Sequence, residues 1–96
     1  MRVAAVQHDI VWEDRDATLE HLTRDLAGVD ADLIVLAELF AVGFTMAREV
    51  AEPPDGPTTA WLVAQAAAKE AWIGGSIPVV LAGADRPSNV FTLVSP

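Results

Sequence analysis

The amino-acid sequence predicts an α/β fold, formed by one small domain over residues 1–96. Three observations support this prediction. Short aliphatic runs without polar alternation indicate strands that are covered on both faces. A stripe of leucines at three- and four-residue steps lies between the first two runs and indicates an amphipathic helix. Hydrophobic residues make up 52% of the chain, which is high for so short a domain and indicates surfaces that another layer covers.

The first half of the chain predicts a strand, a helix and a second strand. The strands cover Val3–Val6 and Leu33–Leu36. Between them, Asp14 or Asp16 can cap the start of a helix, which we expect to end near Gly28. Strand, helix and strand in so short a span predict a βαβ unit. The helix turns one aliphatic stripe toward the core: Leu19, Leu22, Leu26 and Val29.

The second half predicts a helix followed by two strands. Pro57 suits the first position of a helix, because the missing N–H of proline has no intrahelical partner there. Gly74 and Gly75 lie inside a strand, where they mark a bulge or a close approach of another group to the backbone. The predicted elements are an irregular segment at 38–56, a helix from Pro57 to Ala71, a strand from Trp72 to Ile77, a turn at 83–89 and a strand from Val90 to Val94.

Composition excludes several classes of function. The net charge is −8, and without a basic cluster we expect no binding to nucleic acid or to anionic membranes. No apolar run approaches the ~20 residues of a membrane helix, and no signal peptide is recognisable, so a cytoplasmic location is expected. The chain has no cysteine, and His8 and His21 lack ligand spacing, so we expect no metal site.

One carboxylate, Glu38, interrupts the most hydrophobic stretch of the chain, ADLIVLAELFAVGF. Burying an unpaired polar group costs on the order of 2–7 kcal/mol, so a buried Glu38 needs hydrogen-bond partners or a chemical role. It follows a strand, and in open α/β sheets ligands gather at the carboxyl ends of strands. Two interpretations are open: a structural carboxylate, or a general base whose basicity is increased by desolvation.

The same stretch resembles the first signature of the carbon–nitrogen hydrolase (nitrilase) superfamily, in which an aliphatic strand runs into a glutamate and an aromatic-rich loop. Two positions differ from the usual pattern: Ala37 stands where proline is usual, and Thr18 where asparagine is frequent. Together the similar segments cover essentially all 96 residues. The other segments follow in the family's order: RVAAVQHDIVWEDRDATLEHL, PPDGPTTAWLVAQAA, AWIGGSIPV and SNVFTLVSP.

This resemblance implies the N-terminal part of an α-β-β-α sandwich, with a mixed sheet and two helices on one face. It also implies a thiol-dependent amidase with a Glu–Lys–Cys triad and no cofactor. Glu38 is then the catalytic general base, and Phe44 lines the pocket for a small-molecule amide. The stretch ELFAVGFTM is most similar to members that act on ω-amides of small dicarboxylic acids. By analogy, the full-length protein is expected to be a homo-oligomer.

Two other classes of function stay open, because residues 1–96 contain no thiol nucleophile. The lysine and cysteine of the family come later in the chain, and Lys69 does not match the lysine motif. The chain is therefore also compatible with a non-catalytic truncated fragment, or with a small α/β binding or interaction domain. A lysine on a downstream strand and a cysteine at a strand-to-helix turn would favour the enzyme.

The remaining conspicuous side chains are expected to have structural roles. Gln7 and His8, which follow the first strand, are predicted to be hydrogen-bonded structural groups. Asn89 is assigned to a turn, where asparagine is common. The three tryptophans are interpreted as packing residues: Trp12, Trp61 and Trp72.

Overall fold

Strands and helices alternate along the chain in the computed structural model, which describes residues 1–96. The first strand–helix–strand unit is followed by a loop with one short 3₁₀ turn, and the second helix leads into two strands. The elements are β1 (Val3–Val6), α1 (Arg15–Asp25), β2 (Leu33–Leu36), the 3₁₀ turn (Arg48–Val50), α2 (Pro57–Lys69), β3 (Trp72–Val79) and β4 (Ser88–Val94).

The four strands form one mixed sheet in the order β1-β2-β3-β4. β1, β2 and β3 are parallel, and β4 returns antiparallel to β3. In the register, Ile34 pairs with Ile73, which in turn pairs with Val94. Both helices contribute to the core on the same face of this sheet, so the predicted mixed sheet with two helices on one face is confirmed.

The core lies between the helices and the alternate residues of the sheet that face them. Burial alternates along β2, as expected for a strand with one covered face: Ile34 and Leu36 are buried, and their neighbours are partly exposed. The core cluster has 14 members: Leu19, Leu22, Leu26, Ile34, Leu36, Phe40, Ala41, Val42, Leu62, Ala66, Ala71, Ile73, Ile77 and Val79.

The start of α1 is fixed by two side chains. Asp14 is the N-cap, and its Oδ1 accepts the N–H of Ala17 at 3.1 Å, which satisfies one of the free donors of the first turn. The buried hydroxyl of Thr18 accepts the N–H of Val11 at 3.0 Å. Thr18 therefore holds the loop that leads from β1 into the helix.

The start of α2 depends on a carboxylate from outside the helix. Gly56 is the N-cap and has no side chain, so the buried Glu52 supplies the acceptor: its Oε1 accepts the N–H of Thr58 at 2.7 Å. The Thr58 hydroxyl donates to the other carboxylate oxygen. A Cβ at Gly56 would lie 2.6 Å from Glu52 Oε1, so only glycine fits under this carboxylate.

Several predicted boundaries are wrong by two or three residues. α1 ends at Asp25 rather than near Gly28, and α2 ends at Lys69, because Glu70 adopts a left-handed conformation at its C-cap. β3 continues through Pro78, whose carbonyl accepts the N–H of Glu52 at 3.0 Å. Because Pro78 points its backbone groups away from β4, its missing N–H removes no bond from that ladder.

The face of the sheet opposite the helices is open. Its exposed apolar side chains are Val3, Trp72, Phe91 and Leu93, with exposures from 46% to 60%. The expectation that the strands are covered on both faces is therefore wrong for residues 1–96. Neither α1 nor α2 has the length and apolar character that a membrane crossing requires.

Candidate active site

A tight turn at the carboxyl end of β2 presents Glu38. The next residue, Leu39, has a φ of 51°, a left-handed conformation that is uncommon for a branched residue and costs about 1–2 kcal/mol. The Leu39 N–H donates to Ser76 Oγ on β3 at 2.8 Å, and the Leu39 carbonyl accepts the N–H of Gly43 at 2.9 Å. These two hydrogen bonds offset the backbone strain at Leu39. Backbone strain of this kind is found most often at functional sites.

Phe40 anchors the same turn in the core. Its ring is fully buried, and it lies so close to β3 that a Cβ at Gly75 would be 2.6 Å from Phe40 Cδ1. The paired glycines of β3 thus permit a close approach, which was one of the two predicted meanings. His8 donates from Nε2 to the Phe40 carbonyl at 2.8 Å, as expected of a structural group. The Glu38 turn is therefore tied to the segment that follows β1 and to β3.

The Glu38 side chain is exposed in residues 1–96, so the prediction of a buried carboxylate is wrong. The physical reason is the tight turn after β2. It directs the Glu38 side chain to the surface at the carboxyl end of the strand, while the Phe40 side chain is buried in the core. Glu38 nevertheless has a specific partner, because Asn89 Nδ2 donates to Glu38 Oε1 at 2.6 Å. This bond connects the end of β2 to β4.

Two adjoining cavities meet at Asn89. The smaller one, of about 330 Å³, contains Glu38 and is lined by Leu36, Glu38, Ser76, Asn89 and Phe91. The larger one, of about 380 Å³, lies between the 45–48 loop and the β3–β4 connection, and two arginines line it, Arg48 and Arg86. Both volumes are in the range of small-molecule sites.

Phe44, the predicted substrate-binding residue, is 68% exposed and lines neither cavity. The preceding Gly43 has a φ of 86° and packs beneath Trp12, whose Cε3 would lie 2.8 Å from a Cβ at that position. Phe44 is therefore not part of the cavity beside Glu38. Its role in substrate binding stays a prediction.

Asn89 is the site residue that sequence reasoning missed. It was assigned to a turn, but β4 begins at Ser88, and Asn89 pairs with Pro78 inside the β3–β4 ladder. Asparagine is depleted in strands, so an asparagine next to an aliphatic strand run was the available signal. Ser76 was missed as well, because a single serine after two glycines gives no indication of its partner.

The other conspicuous side chains lie away from Glu38. Lys69 donates to the Val29 carbonyl at 3.3 Å at the end of α2. Trp61 is a packing residue, as predicted: its ring centroid is 6.0 Å from that of Phe40, and its Nε1 donates to Thr23 Oγ1 at 2.9 Å. No group of three or more histidine, aspartate or glutamate side chains has a metal-binding arrangement.

The sequence model of the carbon–nitrogen hydrolase family matches residues 2–94, which is nearly the whole chain. The chain belongs to the carbon–nitrogen hydrolase family. Among the curated relatives of this chain are proteins called omega-amidase YafV from Escherichia coli K12 and from Yersinia enterocolitica, each 34% identical over 97 aligned positions. The alignments cover 100% of this chain and 37% of each relative.

Two solved structures share the fold of this chain. XC1258 from Xanthomonas campestris, described as a CN-hydrolase superfamily protein with an arsenic adduct in its active site, superimposes with a TM-score of 0.91 at 32% identity. The superposition covers 99% of this chain and 36% of XC1258. An N-terminal amidase superimposes with a TM-score of 0.80 at 16% identity, which supports the fold alone. The chain therefore spans little more than a third of the curated relatives it matches.

Proposed function

We propose that this chain forms the N-terminal part of a thiol-dependent amidase, in which Glu38 is the general base. The observation that carries the proposal is the position of Glu38: a strained and doubly anchored turn holds it at the carboxyl end of β2, beside a cavity. A general base must be fixed relative to its substrate, and such a turn provides that restraint. Membership of the carbon–nitrogen hydrolase family supports this assignment.

In the proposed reaction, a cysteine thiolate from the rest of the protein attacks the amide carbonyl and ammonia leaves. Glu38 takes the thiol proton, gives it to the departing nitrogen as ammonia leaves, and as a carboxylate again activates the water that hydrolyses the thioester. Asn89 donates to one carboxylate oxygen, Oε1, and this leaves Oε2 available for proton transfer. Residues 1–96 contain no cysteine, and their one lysine, Lys69, bonds to the Val29 carbonyl, so the proposal requires a longer protein that supplies both groups.

The proposed substrates are small amides that carry a carboxylate at their other end. The curated relatives are called omega-amidases, and an ω-amide of a dicarboxylic acid has this form. For the full-length protein we expect a homo-oligomer and a cytoplasmic location. Size-exclusion chromatography with light scattering, and fractionation of the source cells, test these two expectations.

Thiol dependence is the most direct test of the reaction class. The complete product of the gene that encodes this chain should release ammonia from succinamate or glutaramate. Prior alkylation with iodoacetamide should abolish that release, and substrate present during alkylation should protect the activity. Ammonia release that resists complete alkylation would show that the protein does not use a thiol nucleophile.

A non-catalytic fragment is the second candidate, and the absence of cysteine in residues 1–96 favours it for this chain taken alone. The gene sequence beyond the codon of Pro96 separates the two possibilities. A downstream cysteine at a strand-to-helix turn would support the amidase, and an immediate stop codon would support the fragment.

A further inference from the structure

The larger cavity beside the Glu38 site has an unusual charge for this protein. Two arginines, Arg48 and Arg86, line it together with eight uncharged residues, and no aspartate or glutamate does. The chain as a whole has only six basic residues against fourteen acidic ones. A third of the basic side chains are thus gathered in one cavity.

These two arginines differ from the others in their partners. Each of the remaining arginines forms an ion pair, with nitrogen–oxygen distances of 2.9 Å, 3.0 Å and 3.5 Å for Arg2, Arg15 and Arg24. No carboxylate lies within 4.0 Å of either cavity arginine, although acidic residues are in large excess. Two guanidinium groups in one concave site leave positive charge that an anion can balance.

The environment of the arginines leaves most of their donors free. Arg48 donates from Nη1 to the Asp85 carbonyl at 3.4 Å, which connects the 45–48 loop to the β3–β4 connection. Its other donors, and all those of the Arg86 side chain, have no hydrogen-bond partner within residues 1–96. The nearest acidic residues in sequence are Glu49 and Asp85, and neither lines the cavity.

The arginine cavity is continuous in its lining with the cavity of Glu38, because Asn89 belongs to both. A ligand that extends past Asn89 would place one end beside the arginines and the other beside Glu38. The two volumes, about 380 and 330 Å³, each lie within the range of small-molecule sites.

We propose that Arg48 and Arg86 form a carboxylate-binding site that anchors the end of the substrate remote from the reacting amide. This assignment rests on the proposed amidase function and identifies the residues that select the substrate. Guanidinium groups suit the role because their planar donors can bind a carboxylate through two parallel, charge-assisted hydrogen bonds. The site favours substrates with a terminal carboxylate over neutral amides of the same length.

Calorimetric titration of the full-length protein tests the site without turnover. The probes are succinate and glutarate, which are dianions without an amide, and 1,5-pentanediol, which is neutral and has the five carbon atoms of glutarate. We expect at least one dianion to bind and the diol to give no measurable heat. Arg48→Gln and Arg86→Gln should each weaken dianion binding by about ten-fold or more, because each removes hydrogen bonds to a charged group.

Two further variants control for folding and for general charge. Arg48→Lys keeps the positive charge but loses the planar fork, so its loss of affinity should be smaller than that of Arg48→Gln. Arg24→Gln removes an exposed arginine from α1 that pairs with Glu20, and it should change affinity by less than two-fold. Unchanged thermal unfolding midpoints would confirm that the variants fold.

Three results would overturn the assignment: no binding of either dianion, equal binding of the diol, or equal losses in Arg24→Gln and Arg48→Gln. The amidase reaction and the carboxylate site can fail independently of each other. A protein that binds glutarate through both arginines but releases no ammonia would contradict the proposed reaction and leave the carboxylate site standing. Thiol-dependent hydrolysis with unaltered binding in both glutamine variants would contradict the carboxylate site alone.

Discussion

Glu38 and Asn89 form the one side-chain hydrogen bond that links the end of β2 to β4 at the candidate site, at 2.6 Å. Asn89 is fixed by the β3–β4 ladder, and Glu38 by the turn that Ser76 and His8 hold. The carboxylate of an exposed glutamate would otherwise sample several rotamers, so Asn89 restricts it to one. We therefore assign Asn89 the role of a positioning residue rather than a catalytic one.

Replacing Asn89 with alanine should lower kcat of the full-length protein by about ten-fold or more, since it removes a hydrogen bond to a charged group. KM should change little, because Glu38 already occupies this amide donor of Asn89. Asn89→Asp, which has the same shape but no amide donor, should lower kcat by at least as much as Asn89→Ala. Steady-state kinetics of both variants make this comparison, with Ser95→Ala as the control, because Ser95 is exposed and lines neither cavity. A kcat within two-fold of wild type in Asn89→Ala would mean that the bond is incidental.

At the scale of elements, α2 begins in an unusual way, because a carboxylate four residues before its N-cap takes over the capping role. Glu52 is 4% exposed and accepts two hydrogen bonds from Thr58, from the backbone N–H and from the hydroxyl. The backbone of Glu52 also bridges to Val79 at the end of β3. One residue therefore links the loop, the second helix and the third strand.

Glu52→Ala should lower the free energy of unfolding by about 1–3 kcal/mol, because it removes a helix cap and leaves the Thr58 hydroxyl without its buried acceptor. Urea denaturation of the full-length protein measures this change. Glu49→Ala, an exposed residue in the same loop, is the matched control and should change stability by less than about 0.5 kcal/mol. Equal effects of the two substitutions would show that Glu52 has no special capping role.

Local patterns in the sequence were enough to predict the elements and their order. The leucine stripe identified α1, the aliphatic runs identified β1 and β2, and Pro57 marked the first residue of α2. The ends of elements were less predictable, because they depend on distant partners. β3 extends beyond its predicted end because Pro78 and Val79 pair with the first residues of β4, and the loop at Glu52 also bridges to Val79. No local pattern contains these pairings.

The candidate site was predictable only in part. Glu38 could be found because a charge inside an aliphatic run is conspicuous, and the family resemblance supplied a role for it. Asn89 could not be assigned to it, since 51 residues separate the two and only the strand order brings them together. The exposure of Glu38 was also missed, because hydropathy cannot show that Phe40 takes the core position while Glu38 turns outward.

At the scale of the whole molecule, one face of the sheet has no cover. The helices bury the other face, and the open face presents large apolar side chains, Trp72, Phe91 and Leu93 among them. Each 100 Å² of apolar surface left in water forgoes about 2.5 kcal/mol of stabilisation, a large share of the stability of a small domain. The resemblance to α-β-β-α sandwiches leads us to expect that the rest of a full-length protein covers this face.

Residues 1–96 expressed alone should therefore be partly unfolded, self-associated or aggregated, although a net charge of −8 favours solubility. Gel filtration measures self-association and aggregation, and a dye that binds exposed apolar surface measures how much of that surface is accessible. Trp72→Lys, on the open face, should reduce dye binding, whereas Val63→Lys, on the outer side of α2, should not. A dye-silent monomer with a cooperative thermal transition would show that the open face needs no cover.

The same isolated chain should release no ammonia from succinamate or glutaramate, because it contains no thiol nucleophile. The measurement compares the purified chain with a heat-treated sample of the same preparation. Ammonia release above that background, and lost in Glu38→Gln, would mean that residues 1–96 hold a complete active site of another kind.

The role of Glu38 is the central claim, and ammonia release by full-length Glu38→Gln protein tests it most directly. Glutamine keeps the shape and can still accept the bond from Asn89, but it cannot take a proton. Turnover should fall by roughly 10²–10⁴-fold, while the thermal unfolding midpoint stays that of wild type. Glu49→Gln is the matched control and should keep the wild-type rate. A near wild-type rate in Glu38→Gln would contradict the account and make Glu38 a structural carboxylate.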